Sequence, residues 1–371
     1  MTLGRLRAVA WKETIQLRRD PRSLALAFLL PLALILFFGY AITFDVKHIR
    51  MGVLNQSPSS ESRRLVEAFV ASGYFTVQRE FARYGEIDQA LGRGEVRLAL
   101  VIPSSFSRDL AARRPAPVQL VLDGGDASTA AVAQNYAEAI VARFARDVVL
   151  DGRRVALPLE PETRIWYNET LESRNMVVPG LIAVIMSIIA AMLTALTIAR
   201  EWERGTMEQL AATPVHRIEV VVGKLLPYVA VGLIDVAAAV LAGKLAFGVP
   251  LRGNLVLLTV LTLLFLVGAL GLGIFISAVV KSQLLATQAA MLASYLPALL
   301  LSGFIFSIPT MPWVLRQLTY IIPARYYITV TRGIFLKGVG ADVLWVDAVA
   351  MVVFATVGLT LALRAFRKEL A

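Results

Sequence analysis

Cysteine is absent from the 371 residues and histidine nearly so, with only His48 and His216, far apart in the chain. The first absence removes any disulfide framework, thiolate metal site or cysteine nucleophile, whichever compartment a segment faces. The second leaves no histidine cluster for a metal centre and argues against a Ser-His dyad. Charge is scarce as well: 17% of residues are charged against 57% hydrophobic, and the mean hydropathy is +0.67. Those values lie outside the range of soluble globular chains, so the composition reads as that of a membrane protein.

The charge that is present has a pattern. The formal net charge is +10, yet the segment 45–175 holds 17 Lys+Arg and 17 Asp+Glu, a net of zero. The whole excess therefore sits on the apolar remainder and its short flanks, where a membrane protein keeps positive charge. Nucleic acid is not the indicated partner.

A bilayer core of about 30 Å takes roughly 20 apolar residues as a helix. Six stretches qualify, 24–44, 176–199, 225–247, 255–280, 284–306 and 344–363, which predicts an α-helical polytopic membrane protein with six transmembrane helices. The first, behind Arg18, Arg19, Asp20, Pro21 and Arg22, is too long and too late for a cleaved signal peptide and reads as a retained anchor. Segments 1–23, 200–224, 281–283 and 364–371 carry 6, 4, 1 and 3 Lys+Arg, 14 in all, against five in 248–254 and 307–343. The positive-inside rule then places both termini in the cytoplasm and 45–175 outside, with Trp11 and Trp202 near the inner boundary and Trp313 and Trp345 near the outer one. Leu318–Leu336 fails as a seventh span, because Arg325 and Arg332 would stand near its centre at about 2.5–3.5 kcal/mol each. With Pro309, Pro312, Pro323 and Gly333, the stretch 307–343 is expected as an outer re-entrant segment of short broken helices.

Within 45–175 the pattern becomes that of a small α/β domain. Runs at Ile49–Leu54, Tyr74–Arg79, Val96–Ile102 and Val118–Leu122 predict strands, alternating with helices near 59–72, 85–92, 104–113 and 126–150. Ser59 and Asp126 are candidate N-caps. Asp123-Gly124-Gly125-Asp126 reads as a turn in preference to a cation site, and Asn168-Glu169-Thr170 is a formal glycosylation triplet.

Between the second and third spans, Arg200 to Pro214 predicts a short amphipathic helix bounded by Gly205 and Pro214, just beneath the membrane. Thr206 is the expected N-cap, Glu208 and Gln209 suit the helix dipole, and Met207, Leu210 and Ala211 form one apolar stripe at i, i+3 and i+4. An apolar knob flanked by Glu201, Glu203 and Glu208 fits a groove on another protein better than it fits an anionic leaflet.

This loop, E-W-E-R-G-T-M-E-Q-L-A-A-T-P, resembles the coupling-helix signature of ABC-2 type transporter permease subunits, in particular bacterial efflux permeases with a large outer domain after the first span. Lys12-Glu13, Arg19-Asp20-Pro21 and Gly39-Tyr40-Ala41 near the start, and Pro323 to Tyr327 with Arg332 to Gly338 near the end, are similar to the same family. The resemblance implies that Glu201, Glu203, Gly205, Thr206, Glu208, Leu210 and Pro214 contact a separate cytoplasmic ATPase subunit. It implies that residues 1–23 form an amphipathic helix on the inner leaflet of a bacterial inner membrane, and that two permease chains pair as a homo- or heterodimer. No G-x-x-x-x-G-K-[ST] phosphate loop occurs in the chain, so the expectation is no cofactor of its own, ATP being bound by the partner.

Asp235 lies ten residues into the third expected span, near mid-membrane, where an ionisable group is either functional or hydrogen-bonded to Thr259, Ser294 or Tyr295; both readings stand. Arg325 and Arg332 either meet lipid phosphates or substrate at the outer mouth or bond broken-helix carbonyls. Gly268, Gly271 and Gly273 favour close helix packing over a pore lining. The expected function is export of a lipophilic or amphiphilic substrate, drug or lipid, with membrane lipid and a periplasmic adaptor as further partners. The alternative is a membrane-anchored receptor with an outer ligand-binding domain.

Overall fold

The computed structural model describes residues 2–42, 48–112, 114–149, 166–168 and 172–366, and the chain divides into two units, Met1–Thr43 with Ile165–Ala371, and Phe44–Arg164. The first unit begins with α1 (Leu3–Arg18). Pro21 opens α2 (Pro21–Leu24), where its missing N–H costs nothing. The helix then passes through a π turn at Ala25–Leu29 into α3 (Leu30–Ala41).

The second unit alternates strand and helix: β1 (Ile49–Asn55), α4 (Ser60–Ala71), β2 (Phe75–Glu80), α5 (Gly85–Gly92), β3 (Leu98–Ile102), α6 (Phe106–Ala111), β4 (Gln119–Leu122) and α7 (Ala127–Val149). The sheet order is β2-β1-β3-β4, with β1 parallel to both neighbours and β4 antiparallel to β3. Period-two alternation sorts its side chains. Met51, Val53, Leu98 and Leu100 pack with Leu65 and Phe69 of α4 and Ala133 of α7, whereas Leu54, Ala99 and Val101 face Phe81 and Ile87. The sheet is thus covered on both faces, as parallel pairing requires. Ser59 caps α4 through a reciprocal box, its hydroxyl accepting from the Ser62 N–H at 3.1 Å while its own N–H donates to the Ser62 hydroxyl at 3.0 Å. Asp123 is committed to its turn, accepting from the Gly125 N–H at 2.9 Å and pairing with Arg97.

The first unit resumes with α8 (Ser173–Glu203), α9 (Thr206–Ala212), α10 (Arg217–Phe247), α11 (Leu255–Val280), α12 (Gln283–Leu300), α13 (Trp313–Leu318), α14 (Pro323–Arg332) and α15 (Ala341–Ala365). Five of these, α8, α10, α11, α12 and α15, are long and apolar enough to cross a membrane, and Ala27–Ala41 is a shorter apolar helix. The most apolar window of α8 is 83% buried and that of α12 only 17%, so α8 is the central rod of the bundle and α12 a peripheral one.

Glycines set how closely α11 is gripped. A Cβ on Gly273 would strike Thr194 Oγ1 and the Ala191 carbonyl of α8, and one on Gly271 would lie 2.7 Å from the Gly358 carbonyl carbon of α15. Backbone approaches of that kind exclude any side chain, which is the packing role expected of these glycines.

Two boundaries differ from expectation. The span expected at 284–306 ends at Leu300, after Pro297, and the chain bends through 301–306 with Gly303 at φ +84. Meanwhile α8 runs on to Glu203 and α10 begins at Arg217, so the connection expected over 200–224 narrows to 204–216. Hydropathy marks only the apolar part of a helix; both continue past it because polar partners receive their ends.

Candidate functional site

Those polar partners form a buried ion cluster. Val9, Glu13 and Leu17 recur at i, i+4 and i+8 and are the buried stripe of α1, which lies against α10. One member of that stripe is a carboxylate, and it meets Lys224 of α10 at 2.6 Å. Lys224 Nζ also reaches Glu201 of α8 at 2.9 Å, and Lys12 Nζ reaches the same Glu201 oxygen at 2.7 Å. The side chains of Glu13 and Lys224 are 2% exposed and that of Glu201 4%, against 52% for Lys12. Two ammoniums and two carboxylates balance. Beside them Arg200 pairs with Asp20 at 3.1 Å.

The cluster overturns one expectation. Glu201 is an internal ion-pair partner and offers no surface to another protein, because α8 carries it inward above the α9 turn. Nor does the apolar stripe of α9 form an outward knob: Met207 is 3% exposed and Leu210 packs against the bundle's own core. What α9 presents outward is Glu208, Gln209 and Ala212, followed by Thr213 and Pro214.

The entry to α9 also differs. Thr206 is its first residue, and the N-cap position belongs to Gly205 at φ +68, whose N–H bonds the Trp202 carbonyl at 3.2 Å. Only glycine takes that left-handed conformation freely, and it folds the chain back sharply after α8. Glu203 is exposed yet engaged: it accepts the Gln283 N–H at 2.7 Å and the Gln283 side-chain amide, tying α8 to the start of α12. After α9, Glu219 accepts from the N–H groups of Thr2 at 2.6 Å and His216 at 2.9 Å, and Arg5 donates to the Pro214 carbonyl at 2.6 Å. Trp202 is covered by Lys281, 4.2 Å from its ring centre. The short helix therefore stands on a platform joined to α1, α8, α10 and α12.

The remaining candidates lie elsewhere in the bundle. Asp235 is 3% exposed, and its Oδ2 has no hydrogen-bond partner among the described residues. The bonds expected from its neighbours are not made: Thr259 and Ser294 donate to Leu255 and Ala290 within their own helices, and none comes from Tyr295. Arg325 donates to Thr319 and stacks 4.0 Å from the Tyr320 ring centre, while Arg332 donates to the carbonyls of Met176 at 3.2 Å and Gly303 at 3.3 Å. Both arginines brace broken helices. Sequence reasoning singled out neither Lys224 nor the pairing role of Glu13. The available signals were a lysine inside the apolar run that opens α10 and a glutamate at the i+4 position of an apolar stripe.

A helical bundle able to cross a bilayer, carrying at one end a short helix mounted on a charge-neutral platform, has the build of a membrane transport subunit. The chain belongs to the ABC-2 family of transporters: the profile described as ABC-2 family transporter protein matches residues 21–364. It is 37% identical over 360 residues to the probable multidrug ABC transporter permease YbhS of Escherichia coli K12, covering 96% of this chain and 95% of that one. It is 29% identical over 368 residues to the probable multidrug ABC transporter permease YbhR of the same strain, covering 98% and 99%. ABC transporter G family member 20 of Dictyostelium discoideum is 24% identical over 344 residues, which cover 90% of this chain and 46% of that protein. The protein is accordingly a membrane permease of the ABC transporter class, and the receptor alternative finds no support among these relatives.

Proposed function

We propose that this permease is the membrane half of an ATP-driven exporter in a bacterial inner membrane, moving a lipophilic or amphiphilic substrate such as a drug or lipid. Six helices cross the bilayer in this reading, the five long ones and the α2–α3 helix. Both termini and α9 are cytoplasmic, and the 45–175 region is an extracytoplasmic α/β domain open to a periplasmic adaptor. Two permease chains form the pathway, and ATP is bound and hydrolysed by a separate ATPase subunit, this chain having no such site and needing no cofactor.

The observation that carries the reading is the outward face of α9. Glu208, with Gln209 beside it and Thr213-Pro214 after it, is exposed, whereas everything behind that face is locked to α1, α8 and α10. A partner pressing on this face moves three helices at once, which is how ATP-driven closure becomes a change in the bundle. The contact set is then Glu208, Thr206 and Pro214, with Glu203 at its edge. Gly205 and Leu210 shape the helix from within, and Glu201 acts as its internal anchor.

Mild-detergent purification from the native cell, with mass spectrometry of bound proteins and ATPase assay of the eluate, tests the proposal. A P-loop ATPase should accompany the intact chain and be lost from Glu208→Lys, whose membrane level should be unchanged. Retention of the ATPase by Glu208→Lys refutes the contact assignment, and its absence from the intact chain refutes the exporter.

A further inference from the structure

The end of the bundle opposite the ion cluster holds a second polar site. There α8 begins, the chain bends after α12, and α14 runs through a π turn at Gly333–Lys337 that Gly338 closes at φ +65. A cavity of about 470 Å³ opens among these segments, and its lining includes Arg332, Lys337 and Ser307 together with the aliphatic side chains of Ile308, Leu336 and Val343. None of the described residues that line it is acidic, and neither Arg332 nor Lys337 has an ion-pair partner among the described residues. Two cations without counter-charge thus line a cavity whose other walls are largely aliphatic.

The arginine is held in place and incompletely satisfied. Its Nε and Nη1 donate to the carbonyls of Met176 and Gly303, which fixes the plane of the guanidinium. Its Nη2 is buried and has no hydrogen-bond partner among the described residues. That nitrogen lies beside Gly180, away from the cavity lining, so the carbonyls leave the guanidinium charge without a counter-charge, which an anion in the cavity would supply. The Lys337 ammonium lies 5.9 Å from the Tyr167 ring centre, a loose contact that leaves it able to swing on its four-carbon stem. A rigid planar fork beside a mobile point charge suits an oxyanion with several acceptor oxygens, and the aliphatic wall requires that the oxyanion bring an apolar body with it.

We infer that this cavity binds the phosphate group of an anionic amphiphile, with Arg332 and Lys337 as its counter-charges and Ile308, Leu336 and Val343 against its acyl portion. The inference stands on the cavity alone and holds whether such an amphiphile is cargo or a resident lipid.

The test uses the full chain in maltoside detergent, titrated with dioctanoyl phosphatidic acid, dioctanoylglycerol or inorganic phosphate and read by native mass spectrometry. Phosphatidic acid should bind once per chain, with the other two probes about tenfold or more weaker, the loss expected when one half of the recognition is missing. Arg332→Gln should weaken phosphatidic acid about tenfold and Lys337→Ala severalfold. Because Arg332 also braces α8, the exposed Lys337→Ala and the cavity-filling Val343→Trp keep the test open if Arg332→Gln unfolds. Dioctanoylglycerol binding as tightly as phosphatidic acid overturns the proposal. So does unchanged binding by Lys337→Ala and Val343→Trp. Inorganic phosphate binding as tightly as the amphiphile overturns it as well, reassigning the cavity to free oxyanions.

Discussion

Replacing Lys224 with methionine removes the central charge of the platform beneath α9 while keeping the length of the side chain. Two carboxylates, at 2.6 and 2.9 Å from Nζ and almost fully buried, then share only Lys12, which is half exposed and reaches Glu201 alone. Glu13 is left without a counter-charge, and breaking a buried pair in this way costs about 3–5 kcal/mol. For a chain unit of this size each kcal/mol moves a melting midpoint by about 2–4 °C, so a fall on the order of 10 °C is expected. Adding Glu13→Gln restores neutrality, and the double variant should regain about 1–3 kcal/mol relative to the sum of the singles. Lys12→Ala, at an exposed site, should cost no more than about 1 kcal/mol. The assay is heating of the solubilised full chain, followed by size-exclusion measurement of the fraction still monodisperse. A Lys224→Met midpoint within about 2 °C of the parent, or a double variant that simply adds the two losses, refutes the reasoning.

Gly205→Ala places a Cβ at φ +68, a conformation costing about 1–2 kcal/mol for an L-residue; the same heating assay should show a small fall, and ATPase co-purification should weaken more than stability does. In the α/β unit, the Gly125 N–H and then Arg97 hold the Asp123 carboxyl below its ordinary pKa. The tie to Arg97 is thus complete above the unfolded carboxylate's titration near pH ~4 and is lost as pH falls through the lower folded value. Hydrogen exchange at the Gly125 amide should be flat from about pH 5 to 8 after correction for intrinsic rates and lose protection only below pH ~4. In Asp123→Asn that acid step should vanish; its persistence would assign it to another group.

Much of the architecture was legible because it rests on periodicity. The β-rich runs at Ile49–Leu54 and Val96–Ile102 placed β1 and β3 within two residues, and the run 255–280 coincides with α11. The bent end of α12 was not legible, since Leu301 to Phe306 is as apolar as a helix interior and the break is made by Pro297 and by Gly303 at φ +84. The sequence around α9 placed a short helix between Gly205 and Pro214, where it is found, and misread its inside. Glu201 and Glu208 look equivalent as acidic residues in a loop, and only the helical phase of α8 turns the first inward to Lys224 while α9 leaves the second in solvent. Nothing local to Glu201 announces partners 189 and 23 residues away.

The glycine contacts around α11 have a mechanical consequence. Clamped to α8 through Gly273 and to α15 through Gly271 and Gly358, α11 cannot slide or rotate against either neighbour without driving backbone into backbone. These three helices move as one body. Relative motion is therefore left to helices outside that clamp, such as the peripheral rod α12, and the Gln283–Glu203 bond that fastens its foot to the end of α8 is the hinge about which it would swing.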